Sequence, residues 1–438
     1  LFAQGHFNHS DRWKTRVHLQ ETNNKTYLER FEIDGRDILT SEITSEYYAS
    51  YNSYASIAAY KFTGLRDFDD DETIPKILPI VNINHYDTDV WGGMLSHSLV
   101  SNNLNRVNGE DSILINHLTA WDRKDILGIS AISWGAGSYL DLINLVDNGD
   151  DNVDKRANRF APYVYVMGEV PLVKRGQQAT YSIIPKAGAF LIHNSRHEEN
   201  FAQRRANNDS RVTLIDEVGL FSPNLYQGRD RISDGLRFSY GISFDANYVD
   251  DTYIGAFIGQ SYQNDEDKHQ ELADQGFAGN YSDIVSNFTY YGKTFFADKA
   301  GFNYKARMDN EDFSVNYSDA SVFLDNKDYS FALSYIKDDV DNGTEDMVFQ
   351  ASYLYDTNWL FDFEYWYSIS DSSSREIDLS FMYYSDCAGI GLEIERDFTN
   401  DDATPSETSI GLRLDFSHVF FGQAKVNNVT DSASGGIF

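Results

Sequence analysis

The sequence predicts an all-β protein built as one large antiparallel transmembrane β-barrel of the outer-membrane type, and three observations predict it. The first is a sustained alternation of side chains: Phe361, Phe363, Tyr365, Tyr367 and Ile369 alternate with Asp362, Glu364, Trp366, Ser368 and Ser370, which as a strand sets an apolar face against a largely polar one. The second is an aromatic content of 15% combined with a negative mean hydropathy, as expected of strands that show one face to lipid and the other to water. The third is continuity. Only 7 of the 438 residues are proline and no Ser/Gly-rich linker interrupts the chain, so one large sheet is preferred to two or three separate domains.

Along the chain, Leu236, Phe238, Tyr240, Ile242, Phe244, Ala246 and Tyr248 form one unbroken run, and Asp250-Asp251 turns it into a second, Tyr253 to Tyr262. Asp147-Asn148-Gly149 and Asp341-Asn342-Gly343 supply residues suited to the left-handed positions of tight hairpins. Toward the C-terminus the beat returns in Ile377, Leu379, Phe381, Tyr383 and again in Ile410, Leu412, Leu414, Phe416, the last set against Gly411, Arg413, Asp415 and Ser417. No stretch approaches the roughly 18 apolar residues of a spanning helix. Any membrane crossing therefore requires a closed barrel, because hydrocarbon leaves no water for unpaired backbone groups. A soluble acidic β-sandwich or β-propeller alternates too and is the competing architecture.

Barrels of this type have short turns at the periplasmic end and long loops outside. Counting back from a last strand that descends to Phe416 places 400–407, 371–375 and 338–346 outside. It places Ser385 to Ala388 and Asp356 to Asn358 at the periplasmic rim. Allowing about 9 to 11 residues per strand, the chain holds roughly 18 to 22 strands, too many for their side chains to fill the interior.

A formal net charge of -32 and a pI near 4.5 exclude nucleic acid as partner, since phosphates need Lys and Arg opposite them. The acids gather in loops: Asp67, Asp69, Asp70, Asp71 and Glu72; Asp147, Asp150, Asp151 and Asp154; and Asp338, Asp339, Asp341, Glu345 and Asp346. Solvated loop tips are the plain reading, and divalent cations held at Asp338, Asp339 and Asp341 the sharper one. Cys387 is the sole cysteine, so a bridge within the chain is impossible. The histidines are scattered, and His193 with His197 lacks a third ligand. With no H-E-x-x-H, G-x-S-x-G, phosphate-binding loop or paired-cysteine signature, neither enzyme chemistry nor a cofactor or metal centre is expected. The chain opens at Leu1 without a signal-peptide pattern.

At Gly228-Arg229-Asp230-Arg231-Ile232-Ser233-Asp234-Gly235 the sequence resembles the G-x-D-R-[IV]-x-D-[AG] segment of the LPS-assembly protein LptD family, also called the organic-solvent-tolerance family. Further family-like pieces occur in order: Asp11-Arg12-Trp13, Tyr27-Leu28-Glu29-Arg30-Phe31, Ile74-Pro75 to Pro79, Arg106 with Gly109 and Asp111, Trp121-Asp122-Arg123, Pro185 and Tyr384-Ser385-Asp386-Cys387. Each has a plain reading. Asp230, Arg231 and Asp234 suit a structural ion pair at a strand entrance, Pro75 and Pro79 flank a strand beginning, and Trp13 and Trp121 suit an interfacial belt.

The resemblance implies an outer-membrane translocon component of a Gram-negative bacterium. It would insert lipopolysaccharide into the outer leaflet through a lateral gate between the first and last barrel strands; a general porin or uptake channel is the alternative. The implied partners are lipopolysaccharide, outer-membrane lipid, an LptE-type plug lipoprotein and, through an N-terminal domain, an LptA-type periplasmic bridge. Cys387 is implied to bond to a cysteine of that domain. Gly411, Leu412, Leu414 and Phe416 resemble a terminal β-signal and would form one side of the gate. A gate needs a weak seam, which strands interrupted by Pro or Gly supply. The resemblance further implies a barrel over residues 1–417 lacking its first strands, hence incomplete at its N-terminal end, and a periplasmic tail over 418–438.

Overall fold

The computed structural model describes residues 2–22, 25, 38–65, 69–109, 111–146, 156–194, 215–226, 228, 231–264, 277–339, 343–385, 388–398, 406 and 408–415. It is a single antiparallel sheet. In chain order the strands are β1 (Phe2–Ser10), β2 (Trp13–Gln20), β3 (Ile38–Ser50), β4 (Ser53–Gly64), β5 (Lys76–Val90), β6 (Gly93–Asn105), β7 (Asp111–Leu127) and β8 (Ser130–Val146). There follow β9 (Arg156–Glu169), β10 (Leu172–Arg175), β11 (Ala179–Ile192), β12 (Gly235–Tyr248), β13 (Tyr253–Gln263), β14 (Phe277–Ala278), β15 (Tyr281–Ser282) and β16 (Ile284–Gly292). The last are β17 (Lys299–Met308), β18 (Val315–Asp325), β19 (Tyr329–Asp338), β20 (Thr344–Tyr355), β21 (Trp359–Ser368), β22 (Ser373–Tyr384), β23 (Gly389–Asp397) and β24 (Thr408–Asp415).

Almost every strand pairs with its neighbour in sequence, the up-and-down order expected of such a wall. The short β10 resumes β9 beyond Pro171 against the same partner, β11, and β15 leads into β16 along β13. Counted as continuations, these fragments keep the strand number within the range read from chain length. Among the described residues β1 is paired only with β2, and β24 only with β23.

The longest connections all lie at one end, although 293–298 at the tight-turn end is longer than 106–110, 339–343 and 369–372 opposite. At one end lie the tight turns 11–12, 51–52, 91–92, 128–129, 176–178, 249–252, 326–328, 356–358 and 385–388. At the other lie 21–37, 65–75, 147–155, 193–234, 264–283 and 398–407. Several tight turns are made by residues with positive φ, including Gly128 at 65°, Asp251 at 65° and Asp356 at 51°. Of the hairpin expected at 341–343 only Gly343 is described, between β19 and β20 with φ of 64°; Asp341 and Asn342 lie outside the described residues.

The faces are reversed relative to a soluble protein. On β12, Phe238, Tyr240, Ile242 and Phe244 are 36–47% exposed on the outer side, while Arg237, Ser239 and Ser243 are buried on the inner side. Lipid, not a protein core, is the environment such a surface suits. Trp13, Tyr51, Trp91, Tyr355 and Tyr383 are exposed near the tight-turn end, a belt of amphipathic rings at one interface level.

Inside, rings cover glycines. A Cβ on Gly137 of β8 would lie 2.3 Å from the Thr119 carbonyl oxygen and 2.6 Å from the Tyr163 ring, and one on Gly135 would lie 2.7 Å from the Tyr165 ring. Tyr165 thereby reaches across β8 from β9 and donates to Asp122 Oδ1 of β7 at 2.6 Å. Close by in this wall is a fully enclosed pair, Arg159 with Asp141, each 2% exposed in its side chain, with Asn116 donating to Asp141 at 3.0 Å.

Prolines correct one expectation. Pro79 does not flank β5 but lies within it, where the register slips against both β4 and β6. A bulge accommodates a residue with no amide hydrogen to donate. Pro162 lies within β9 and Pro185 within β11, opposite the break at Pro171. None is in β1 or β24, the edge strands among the described residues, where Gly5 and Gly411 are the glycine interruptions.

Candidate functional site

The connection between β11 and β12 folds back onto the inner wall. Its center is a single helical turn, α1 (Glu217–Leu220), capped by the Asp216 side chain, which accepts from the Gly219 amide at 2.7 Å. Ile215, Leu220 and Leu225 are buried against Phe257 of β13, Phe277 of β14 and Val285 of β16. Burial of such side chains stabilises by about 1.5–3 kcal/mol each, so the apolar contacts contribute part of what holds this segment to the wall.

Two polar contacts fix its position. Glu217 accepts from Lys186 Nζ of β11 at 2.8 Å, from Ser243 Oγ of β12 at 3.2 Å and from Asn287 Nδ2 of β16 at 3.1 Å. Burial by itself would raise the pKa of this carboxyl, but the hydrogen bonds from Lys186 and Asn287, the Lys186 charge and Ser243 outweigh it and hold it below the ordinary value. Arg237 of β12 is 2% exposed and donates to the carbonyls of Leu220, at 2.8 Å, and Ser222, while its guanidinium lies 4.5 Å from the center of the Phe190 ring. A buried cation held by carbonyl dipoles and an aromatic face ties the returning chain to the barrel.

The family-like octapeptide closes this loop. Gly228 and Gly235 have φ of 81° and 94°, conformations that glycine adopts without penalty. The Asn224 side chain donates to the Arg231 carbonyl at 3.1 Å and accepts from the Ser233 amide at 2.9 Å. Asp234 is buried; its carboxylate accepts from the Asn194 amide at 2.8 Å and its carbonyl from Gln263 Nε2 at 2.8 Å. The guanidinium of Arg231 lies 5.9 Å from the Tyr226 ring center. Glu217, Lys186 and Arg237 were not singled out in the sequence. The available signal was a lone arginine on an inner face otherwise made of Gly, Ser, Asp and Asn.

On β24, Ile410, Leu412 and Leu414 are 73%, 66% and 56% exposed on the outer side. Arg413, between Leu412 and Leu414, reaches Glu393 of β23 at 3.7 Å. Glu376, Asp378 and Glu395 nearby bring one oxygen of each of three carboxylates within 4.8 Å of one another. Asp338 ends β19, and Asp339 pairs with Lys337 at 2.7 Å. Ser385 and Ala388 close the turn around position 387 at the tight-turn end. Cys387, Asp386, Arg229, Asp230, Asp341, Phe416, His197, Asp67, the acids of 147–154, Tyr27 to Phe31 and residues 418–438 lie outside the described residues.

An outward apolar wall, an inward polar one, length-sorted connections and a loop pinned inside define an outer-membrane-type β-barrel. The family described as LPS transport system D matches residues 1–359, and the chain belongs to this LptD family, a component of lipopolysaccharide transport. Among solved structures, it is similar to the siderophore receptor PirA from Pseudomonas aeruginosa, at 10% identity over 94% of this chain and 74% of that one, with a TM-score of 0.47. For PirA from Acinetobacter baumannii the figures are 8%, 92%, 75% and 0.46. Likenesses this distant carry no inference about cargo. No curated protein sequence matches the chain.

Proposed function

We propose that this barrel delivers lipopolysaccharide to the outer leaflet of a Gram-negative outer membrane, with β24 as one side of a lateral gate. The observation that carries the gate is the pairing of β24: among the described residues it is hydrogen-bonded only to β23, while Ile410, Leu412 and Leu414 face outward. An edge without a ladder partner is the part of a sheet that opens at least expense of hydrogen bonds. Acyl chains would pass along that edge into the membrane as the glycan crosses the polar interior. No bond is made or broken in this scheme, so the chain acts as a conduit and not an enzyme.

In this reading residues 1–417 are barrel and 418–438 a periplasmic tail, and the motif of Gly228, Asp230, Arg231, Asp234 and Gly235 is structural. Cys387, between the strands β22 and β23, would bond to an N-terminal domain that engages an LptA-type bridge. An LptE-type lipoprotein fills the lumen, and the acids at Asp338, Asp339 and Asp341 meet lipopolysaccharide phosphates through divalent cations.

The gate is tested by placing a photoreactive phenylalanine at Leu412 in cells and probing adducts for lipopolysaccharide. Adducts at Leu412 and none at Phe238, on distant β12, are expected. Equal labelling at both positions, or none at Leu412, would overturn the gate.

A further inference from the structure

The outer face next to β24 is not uniformly bulky. One cross-strand row runs Phe331, Ala351, Phe363, Leu379, Ile394 and Ile410 from β19 to β24. Ala351 is the small member of that row. Below it the row from Tyr353 to Leu412 carries Phe361 and Phe381, again bulky. The missing side-chain volume at Ala351 leaves a groove of about 360 Å³ between the rings, running to Leu392 and Ile394 of β23. Both of its rows continue in register onto Ile410 and Leu412, the residues placed above at the gate.

Directly above Ile394 on the same face of β23 is Arg396, opposite Ile377 on one side and Thr408 on the other. Two residues along a strand rise about 7 Å, so the guanidinium stands at the long-loop rim over an apolar groove. It is exposed, lies 4.7 Å from the ring center of Phe398, and has no carboxylate partner among the described residues. Neighbouring outward cations at this rim are already neutralised, Arg375 by Asp371 and Lys337 by Asp339. In a chain of net charge -32, an unmatched arginine at the lipid interface suits an anionic headgroup, and arginine favours phosphate through its planar fork.

We propose that the Ala351 groove and Arg396 form a landing site for lipopolysaccharide leaving the gate: one acyl chain lies over Ala351 and a headgroup phosphate binds Arg396. This rests on the delivery function proposed above and names where cargo goes after passing β24. The occupant is a phosphorylated, multiply acylated glycolipid; a phospholipid occupant is the competing outcome.

The test is native mass spectrometry of the full chain in detergent, with bisphosphorylated lipid A, its monophosphorylated form and phosphatidylglycerol as probes. Folding is checked by heat-modifiable gel migration. Bisphosphorylated lipid A is expected to bind best. Arg396→Ala should weaken it about tenfold and narrow the gap to the monophosphorylated form. Ala351→Trp, which fills the groove floor, should weaken both forms while Ile242→Trp on β12 changes neither. Unchanged binding in both groove variants, or phosphatidylglycerol binding as tightly as lipid A, would overturn the site. Because the Leu412 crosslink reads passage in cells separately, loss of the groove leaves the delivery function standing, and loss of the crosslink leaves groove binding to be judged by itself.

Discussion

Arg237 Nη1 donates to the Leu220 carbonyl at 2.8 Å, joining a strand of the wall to the one helical turn that folds inside it. Its second terminal nitrogen donates to Ser222, and no water replaces these partners in a side chain 2% exposed. Hydrogen bonds to a charged group contribute roughly 1.5–3 kcal/mol each. Arg237→Ala is therefore expected to free the segment from 215 to 225 while leaving the strands intact. Faster amide exchange at Leu220 and Leu225, and higher single-channel conductance in planar bilayers, would report it; an unchanged conductance would mean the segment does not narrow the lumen.

Glu217 makes that attachment pH-dependent in a defined direction. Its folded pKa is depressed, so its contribution is fully present above the ordinary glutamate value and is lost as pH falls through the lower folded value. Exchange protection at Gly219 should be the same at pH 7 and pH 5 and decline only in stronger acid. In Glu217→Gln the acid-dependent step should vanish, with Lys186 left short of its carboxylate and the segment loosened at every pH.

Gly137 is a packing test independent of the loop. A methyl there would collide with the Thr119 carbonyl and the Tyr163 ring, and overpacking typically costs about 1–3 kcal/mol. Gly137→Ala should lower the temperature at which the barrel loses its folded gel mobility. Gly168→Ala, where a Cβ meets nothing within 4 Å, should not.

The cysteine expectation is checked by alkylation. Cys387 is alone among the 438 residues, so a denatured sample of this chain should be labelled completely without reductant. A longer form with the implied N-terminal domain should be labelled at this position only after reduction; full labelling beforehand would remove the bridge.

Neutralising Asp338, Asp339 and Asp341 should make the cell's barrier to bulky antibiotics less dependent on added Mg²⁺. Asp339 also pairs with Lys337 at 2.7 Å, so its neutralisation releases that lysine as well. A barrier unchanged by the triple substitution would remove cations from the account.

Legibility followed sequence distance. The ladder of β21 to β24 was readable because its alternation is local: Phe361, Leu379, Phe381, Leu412 and Leu414 all face outward as their spacing requires. Ile369 fell in the turn beyond Ser368 instead of extending β21. Counting turns back from the end also located 356–358 and 385–388 at the short-turn end. What could not be read needed cross-strand register or a loop's path. Tyr165 meets Asp122 over Gly135 only because three strands align, and Glu217 meets Lys186, Ser243 and Asn287 only because a polar-looking connection turns inward. At the site itself the glycines at 228 and 235 announced a turn, whereas the pin beside them, Arg237, resembled any inward polar residue.

The sorting of connections by length bears on how such a wall enters a bilayer. A chain arriving from the tight-turn side never has to move those turns across, but it must carry over every long connection, including the run from Asp69 to Glu72. Each charged side chain at the hydrocarbon center costs about 2.5–3.5 kcal/mol even on the most lenient scale. Insertion hairpin by hairpin through intact lipid is thus closed to this chain, and its biogenesis requires a hydrated opening, supplied by assembly machinery or by a locally thinned membrane, through which the acid-rich ends cross before the last strands zip.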